Sequence, residues 1–204
     1  FDEYILEPSD GDYCWDLFRN NLEGFFKVKQ SKITDLEQYE KRNFKTDHHW
    51  NLYGAYMGYQ DIISMIKEDF PDIDDAYPIK EEIHYDYPFY GSLSKHTYGA
   101  LGYDEWIDFE LDYPADFVTK VNGEVRQIGK KENFLNRDPF ELYLYEEYFG
   151  GNEAIIEYDN QNLDDGSSIL VFGDSFSNII NEYISYHFDH TYIVDLRAWP
   201  SDAN

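Results

Sequence analysis

Cysteine is nearly absent. Cys14 is the one thiol in 204 residues, which excludes an internal disulfide and a zinc site built on several thiolates. It is expected as a small buried residue, not a nucleophile. Long apolar runs are missing too: none approaches the roughly 20 residues of a membrane span, and no signal-peptide pattern is visible. The chain starts at Phe1 rather than Met, so processing or trimming ahead of it is expected. Positive charge is scarce, with 16 Lys and Arg against 42 Asp and Glu and a formal net charge of −26. Such a surface repels phosphate backbones and anionic lipids, so nucleic acid is not an expected partner. Tryptophan is sparse at 4, but 20 Tyr and 15 Phe bring the aromatic share to 19% and the apolar share to 42%. That is enough to bury a core and rules out wholesale disorder. Tyrosines can line a core's edge and still reach water, which suits a groove-bearing domain. At about 150 residues per domain, one domain spanning residues 1–204 is expected.

Trp15, Phe18, Leu22 and Phe25 recur at helical spacing, with Ser9 or Asp10 as cap. Residues 27–45 form a basic island, with Lys27, Lys29, Lys32, Lys41, Arg42 and Lys45 against Asp35, Glu37 and Glu40. The island runs into Thr46-Asp47-His48-His49-Trp50. A second helix follows to about Phe70, with Ala55, Tyr59, Ile62 and Ile66 on one face and Pro71 ending it. Residues 68–116 are acidic and aromatic with weak periodicity, and read as long loops with short strands or turns. Phe117–Val121, Asn122-Gly123 and Glu124–Ile128 spell a hairpin, because Asn-Gly supplies the two positive φ angles of a tight type I′ turn. It reads equally as a solvated lid or a plain sheet edge, within an insertion at about 72–135.

Ser168–Phe172 is a continuous apolar run, as expected for a strand covered on both faces. Gly173-Asp174-Ser175 breaks it. Phe176–His187 then reads as a helix with Ile179, Ile180, Tyr183, Ile184 and His187 inward, and Thr191–Leu196 as a second strand. Strand, turn, helix and strand make a βαβ unit, whose right-handed crossover sets the two strands parallel. The fold class is therefore α/β.

In open α/β sheets, ligands bind beyond the carboxyl ends of the strands. Ser175 lies at such an end, where a hydroxyl can be exposed and backbone N–H groups can face an oxyanion. A serine needs a base, and the base needs a third group to orient it. Asp47, two residues before His49, can reach Nδ1–H of that imidazole and leave Nε2 to accept the serine proton. His48, adjacent to Asp47, projects differently. Ser177 sits past the turn as a first-turn hydroxyl. Two histidines and an aspartate are also metal-ligand types. However, neighbours on a regular helix do not face one ion and no H-E-x-x-H pattern is present, so no metal is expected.

Thr46-Asp47-His48-His49-Trp50 followed by Gly173-Asp174-Ser175-Phe176-Ser177 resembles the DHHW family of the SGNH hydrolase superfamily. It is similar, more distantly, to bacterial polysaccharide O-acetyltransferases of the alginate-acetylation type. Phe149-Gly150-Gly151-Asn152 resembles the family's Gly-Gly-Asn segment, and Asp195-Leu196-Arg197 its Asp-x-Arg. The resemblance runs from Phe44 to Arg197. It implies a three-layer α/β/α, mostly parallel sheet with the hairpin inserted and a C-terminus cut short of the full sheet. It also implies Ser175 as nucleophile, His49 as base and Asp47 as its orienting carboxylate. The oxyanion would be held by the Ser175 N–H with Gly151 and Asn152, Gly91 being a rival for the glycine role. Arg197, Trp50 and Tyr90 are candidate substrate contacts, as are Tyr53 and Trp106.

The implied reaction is acyl transfer on carbohydrate through an acyl-Ser175 intermediate, as O-acetyltransferase or O-acetyl esterase, with no cofactor. Implied partners are a carbohydrate polymer, an acyl donor and a membrane-bound protein that hands on the acyl group. The implied location is extracellular or at the cell surface, behind an N-terminal anchor. If the basic island flanks the cleft, an acidic glycan is accepted despite the overall charge. The alternative is a carbohydrate-binding scaffold that keeps the fold without activity. Hydrogen-bond reach among Ser175, His49 and Asp47 separates the two readings.

Overall fold

The structure is a computed structural model and describes residues 10–22, 24–129 and 134–199. The chain divides into two compact units, Phe1–Lys32 and Ile33–Asn204. In the first, α1 (Asp10–Leu22) forms where the apolar spacing predicts a helix. Trp15 stacks on Phe18 at 5.7 Å, while Phe18 and Phe25 are exposed. Cys14 is exposed as well, contrary to its expected burial: Phe18, one turn on along the same face, and Leu17 are both 52% exposed, so this face is not covered among the described residues. Ser9 lies outside the described residues.

The second unit runs α2 (Leu36–Arg42), α3 (Leu52–Lys67), β1 (Ile79–Phe89), α4 (Ser92–His96), β2 (Asp104–Leu111), β3 (Phe117–Val121) and β4 (Glu124–Val125). It continues through α5 (Leu144–Phe149), β5 (Ile155–Asn160), β6 (Ser168–Phe172), a 3₁₀ turn at Ser177–Ile179, α6 (Asn181–Ser185) and β7 (His190–Val194). α3 starts where Asn51 caps it, the side-chain oxygen accepting the Gly54 N–H at 3.1 Å. Leu52, Ala55, Tyr59 and Ile63 are buried along it, and Ile62 and Ile66 pack at the margin. The core joins this face to Phe89 and Trp106 of β1 and β2, Leu144 and Tyr148 of α5, and Tyr183 and Ile184 of α6. Each such side chain contributes roughly 1.5–3 kcal/mol when fully buried.

The sheet departs from the mostly parallel expectation. Five strands run in the order β4-β3-β5-β7-β6, and β6–β7 is the parallel pair. β5 runs antiparallel to β7 (Ile156 opposite Ile193), and β3 antiparallel to β5 (Lys120 opposite Glu157). A crossover fixes direction for the two strands it joins and says nothing about strands arriving from elsewhere. β6 is an edge strand with one face open: Leu170 is 55% and Phe172 64% exposed. Among the described residues, the expected cover on both faces is therefore absent.

The hairpin forms with Asn122 at φ 52° and Gly123 at φ 84°. It is sheet edge rather than lid, since β3 pairs with β5, and β4 stops at Val125. The acidic stretch, expected as long loops with short strands or turns, holds two longer strands, 11-residue β1 and 8-residue β2, paired as a two-stranded antiparallel sheet. Pro88 falls at a register shift in β1, where a ladder hydrogen bond is not needed. The helix expected from Phe176 to His187 is broken into the 3₁₀ turn and α6, but Ile179, Ile180, Tyr183, Ile184 and His187 are buried as expected.

Candidate active site

Residues 46–50 cross from α2 to α3 as an irregular loop, fixed at its start by Thr46. The Thr46 N–H and hydroxyl both donate to Asp104 Oδ2, at 2.8 and 2.5 Å, and its carbonyl accepts the Leu93 and Ser94 N–H groups at 3.0 and 3.1 Å. This clamps the loop onto the start of α4. Gly91 makes the approach possible: a methyl there would stand 2.3 Å from the Thr46 oxygen and 2.5 Å from Asp47 Cβ. Its N–H donates to Thr46 Oγ1 at 3.1 Å, so that donor is already engaged. Gly91→Ala is expected to destabilise the fold by about 1–3 kcal/mol through overpacking. Urea unfolding should show it as a lower midpoint at unchanged slope.

Asp47 is 4% exposed and acceptor to three N–H groups. Oδ1 takes His49 Nδ1–H at 2.6 Å and the His49 N–H at 3.1 Å; Oδ2 takes the Ser92 N–H at 2.7 Å. Burial pushes the carboxyl up, but these hydrogen bonds, with the His49 side chain foremost, outweigh it and bring its pKa down to about 2. The ionised carboxylate can only accept, so His49 Nδ1 carries the proton and Nε2 is left as acceptor. Nε2 lies 2.9 Å from Ser175 Oγ, joining residues 126 apart in sequence.

Ser175 is presented by a turn built from its neighbours. Asp174 Oδ1 accepts the Phe176 N–H, and the Asp174 carbonyl accepts both the N–H and the hydroxyl of Ser177, all at 2.9 Å. Ser177 is thus a turn-closing hydroxyl. A methyl on Gly173 would lie 2.2 Å from Ser177 Oγ, so the turn closes with glycine there. From outside, Trp50 Nε1–H donates to the Phe176 carbonyl at 2.9 Å, and its ring lies against Gly58 of α3. Tyr145 of α5 stacks on His49 at 4.0 Å and 10°, and its hydroxyl donates to the Ser175 carbonyl at 2.7 Å. Burial pushes that phenol well up, keeping it a donor. Nothing in the local sequence marks Tyr145 or Ser92 as part of the site; only the tertiary packing does.

A sequence profile described as "DHHW protein" matches residues 26–194. The chain belongs to the DHHW family. A DHHW family protein from Eubacterium siraeum shares the fold at TM-score 0.58 and 18% identity, over 79% of this chain and 53% of that one. PatB1 from Bacillus cereus does so in two structures. One, carrying a sulfonyl adduct, gives TM-score 0.59 at 24% identity over 81% of this chain and 56% of that one. The other gives 0.58 at 24% over 82% and 58%. The chain therefore spans little more than half the length of these structures, and at such identities the likeness is one of fold. No curated protein matches it.

The remaining residues singled out in this DHHW protein divide. Gly150 and Gly151, at φ 93° and 55°, end α5 by donating both N–H groups to the Glu146 carbonyl at 2.8 Å. The Gly151 N–H is thus spent on the helix terminus and does not face an oxyanion. Asn152 Oδ1 meets Arg197 Nη2 at 3.4 Å, and Arg197 is paired to Asp195 through Nε at 3.0 Å and Nη2 at 2.7 Å. Trp50 and Arg197 both line a cavity of about 600 Å³ along the turn at residues 173–177, with Asp174, Phe176 and Leu196. Tyr90 does not line it; its ring packs edge-on to Tyr103 at 5.8 Å and Phe140 at 5.4 Å. Trp106 is fully buried in the core, and Tyr53 donates its hydroxyl to Glu82 at 2.6 Å.

Donor atoms of Asp47, His48 and His49 lie within 4.8 Å of one another. Both Asp47 oxygens already accept N–H groups, so an ion there would displace the bonds that hold His49. The basic island straddles the two compact units, with Lys27, Lys29 and Lys32 in the first and Lys41, Arg42 and Lys45 in the second. Among the described residues, no helix is long and apolar enough to cross a membrane.

Proposed function

We propose that this protein is a serine-dependent acyltransferase or esterase acting on carbohydrate through an acyl-Ser175 intermediate, on an SGNH-type plan. The observation that carries the reading is the unbroken chain Asp47–His49–Ser175, at 2.6 and 2.9 Å with the imidazole in the tautomer a base requires. His49 Nε2 takes the hydroxyl proton as Ser175 Oγ attacks the acyl carbon. Asp47 steadies the imidazolium, and the proton then goes to the leaving group. The Ser175 N–H, which has no acceptor among the described residues, faces the oxyanion in this reading, with the Asn152 amide as second donor. Sulfonyl electrophiles form adducts with activated nucleophiles, so the adduct-bearing PatB1 structure is in keeping with a nucleophile on the shared fold.

By family resemblance the acceptor is a carbohydrate polymer outside the cell, and the acyl group comes from a donor delivered by a membrane-bound partner. Trp50 and Arg197 line a cavity beside the serine turn, next to Ser175 rather than lined by it. The scaffold reading is weaker, because a decayed site has no need to keep three side chains in hydrogen-bonding order.

A fluorophosphonate probe tests the proposal. The native protein should be labelled on the peptide containing Ser175, and p-nitrophenyl acetate should compete. Absence of label, or label elsewhere, would sink the serine-nucleophile reading. Acetylated oligosaccharide appearing in place of free acetate would mark a transferase rather than an esterase.

A further inference from the structure

His49 is held between two rings, Tyr145 at 4.0 Å and His48 at 3.9 Å between centroids. Rings that near cannot share one face of an imidazole, so they cover opposite faces. Tyr145 is 4% exposed, whereas the His48 side chain is 56% exposed. A molecule arriving from solvent at His49 therefore meets His48. This second histidine is not loosely placed. Its Nδ1 lies 3.0 Å from Ser92 Oγ, and the Ser92 N–H donates to Asp47 Oδ2 at 2.7 Å. One carboxylate thus stands behind two imidazoles: His49 bonds Oδ1 directly, while His48 is held through Ser92 at Oδ2 with its Nδ1 also 3.5 Å from Oδ1. With Nδ1 engaged, Nε2 is the polar atom that the exposed ring has left to offer.

We propose that His48 Nε2 hydrogen-bonds the acyl acceptor and orients its hydroxyl toward His49, favouring transfer to a polyol over transfer to water. This rests on the acyl-Ser175 reading above. In the step concerned, the acceptor oxygen bonds to the acyl carbon while its proton passes to His49 Nε2. The tetrahedral intermediate then collapses, the bond from the acyl carbon to Ser175 Oγ breaks, and Oγ recovers the proton from His49. His48 neither gains nor loses a proton; its contribution is orientation. Donor leaving group and acceptor occupy the same space by microscopic reversibility. A p-nitrophenolate, which departs without proton assistance, isolates the second half-reaction.

The test is partition of the acetyl-enzyme formed from p-nitrophenyl acetate between water and a chito- or cello-oligosaccharide, read as acetylated sugar against free acetate. Fluorophosphonate labelling of Ser175 is measured alongside. For His48→Ala, the loss in the transfer-to-hydrolysis ratio should exceed any loss in labelling rate by about five- to tenfold, the worth of one hydrogen bond. His48→Gln, which keeps an amide near the Nε2 position, should recover part of the ratio. Ser92→Ala, which removes the hydroxyl that His48 Nδ1 contacts, should lower it in the same direction. A ratio that falls only in step with labelling would reduce His48 to a support for His49 and overturn the proposal. So would an unchanged ratio, or a parent protein that yields only acetate with every acceptor. If the parent shows no Ser175 labelling at all, the underlying reading fails first and is distinguished by that result.

Discussion

Ser175→Ala should lower p-nitrophenyl acetate turnover by about five to six orders of magnitude, and adding His49→Ala should cost almost nothing more. The expectation follows from geometry: the hydroxyl and Nε2 are one proton-transfer unit 2.9 Å long, so either half without the other is inert. The residual rate in both variants comes from substrate binding and oxyanion donors that neither change touches. Ser175 is only partly buried and its hydroxyl makes one side-chain hydrogen bond, to His49, so stability should move by about 1 kcal/mol. The measurement is kcat for both single variants and the double variant, with unfolding curves for each. Losses that add would mean that the two residues act independently, and the single-unit reading would fall. A Ser177→Ala control should spare most activity, since that hydroxyl is turned back onto the Asp174 carbonyl at 2.9 Å.

Much of the site was legible because its signals are local. Asp47 and His49 meet across two residues, and Gly173 to Ser177 close their turn among themselves, so spacing and residue type carry the information. The Asn122-Gly123 turn and the apolar face of α3 are legible for the same reason. Strand direction was not. The run at 155–160 has no feature that says whether it joins β7 parallel or antiparallel, and it joins antiparallel. Openness was misread at β6, whose apolar run looks like a central strand but lies at an edge. β1 and β2 were hidden by composition: acids on exposed positions, and a buried Asp108 bonded to the Tyr148 hydroxyl, broke the apolar pattern, while Phe89, Trp106 and Phe109 pack inside. Gly151 shows the limit of a motif, for its N–H closes a helix instead of facing Ser175. Tyr145 and Ser92 touch the site from elements 45 or more residues from Asp47, a relation with no local trace.

Asp47→Asn should reduce turnover by about four orders of magnitude while leaving Ser175 and His49 in place. The carboxylate accepts at both oxygens, and an amide has only one acceptor to offer. Whichever way the amide turns, an NH₂ group faces either the Ser92 N–H or His49 Nδ1. The relief available to the imidazole is to move its proton to Nε2, which then points a donor at Ser175 Oγ and no longer serves as base. Stability should register the same change with a defined pH signature. The Asp47 pKa lies at about 2 in the fold against an ordinary 3.8, so the charged form is the one the fold prefers. Its contribution, on the order of 2 kcal/mol, is fully present above the unfolded value and fades as pH falls through the folded one. The gap in unfolding free energy between parent and variant should therefore be constant from neutral pH to about pH 4 and then close toward pH 2. A gap that persists unchanged at the acid end would assign the loss to packing. A gap that closes ties acid stability and catalysis to one carboxylate, because the bonds that hold Asp47 ionised are the ones that aim His49.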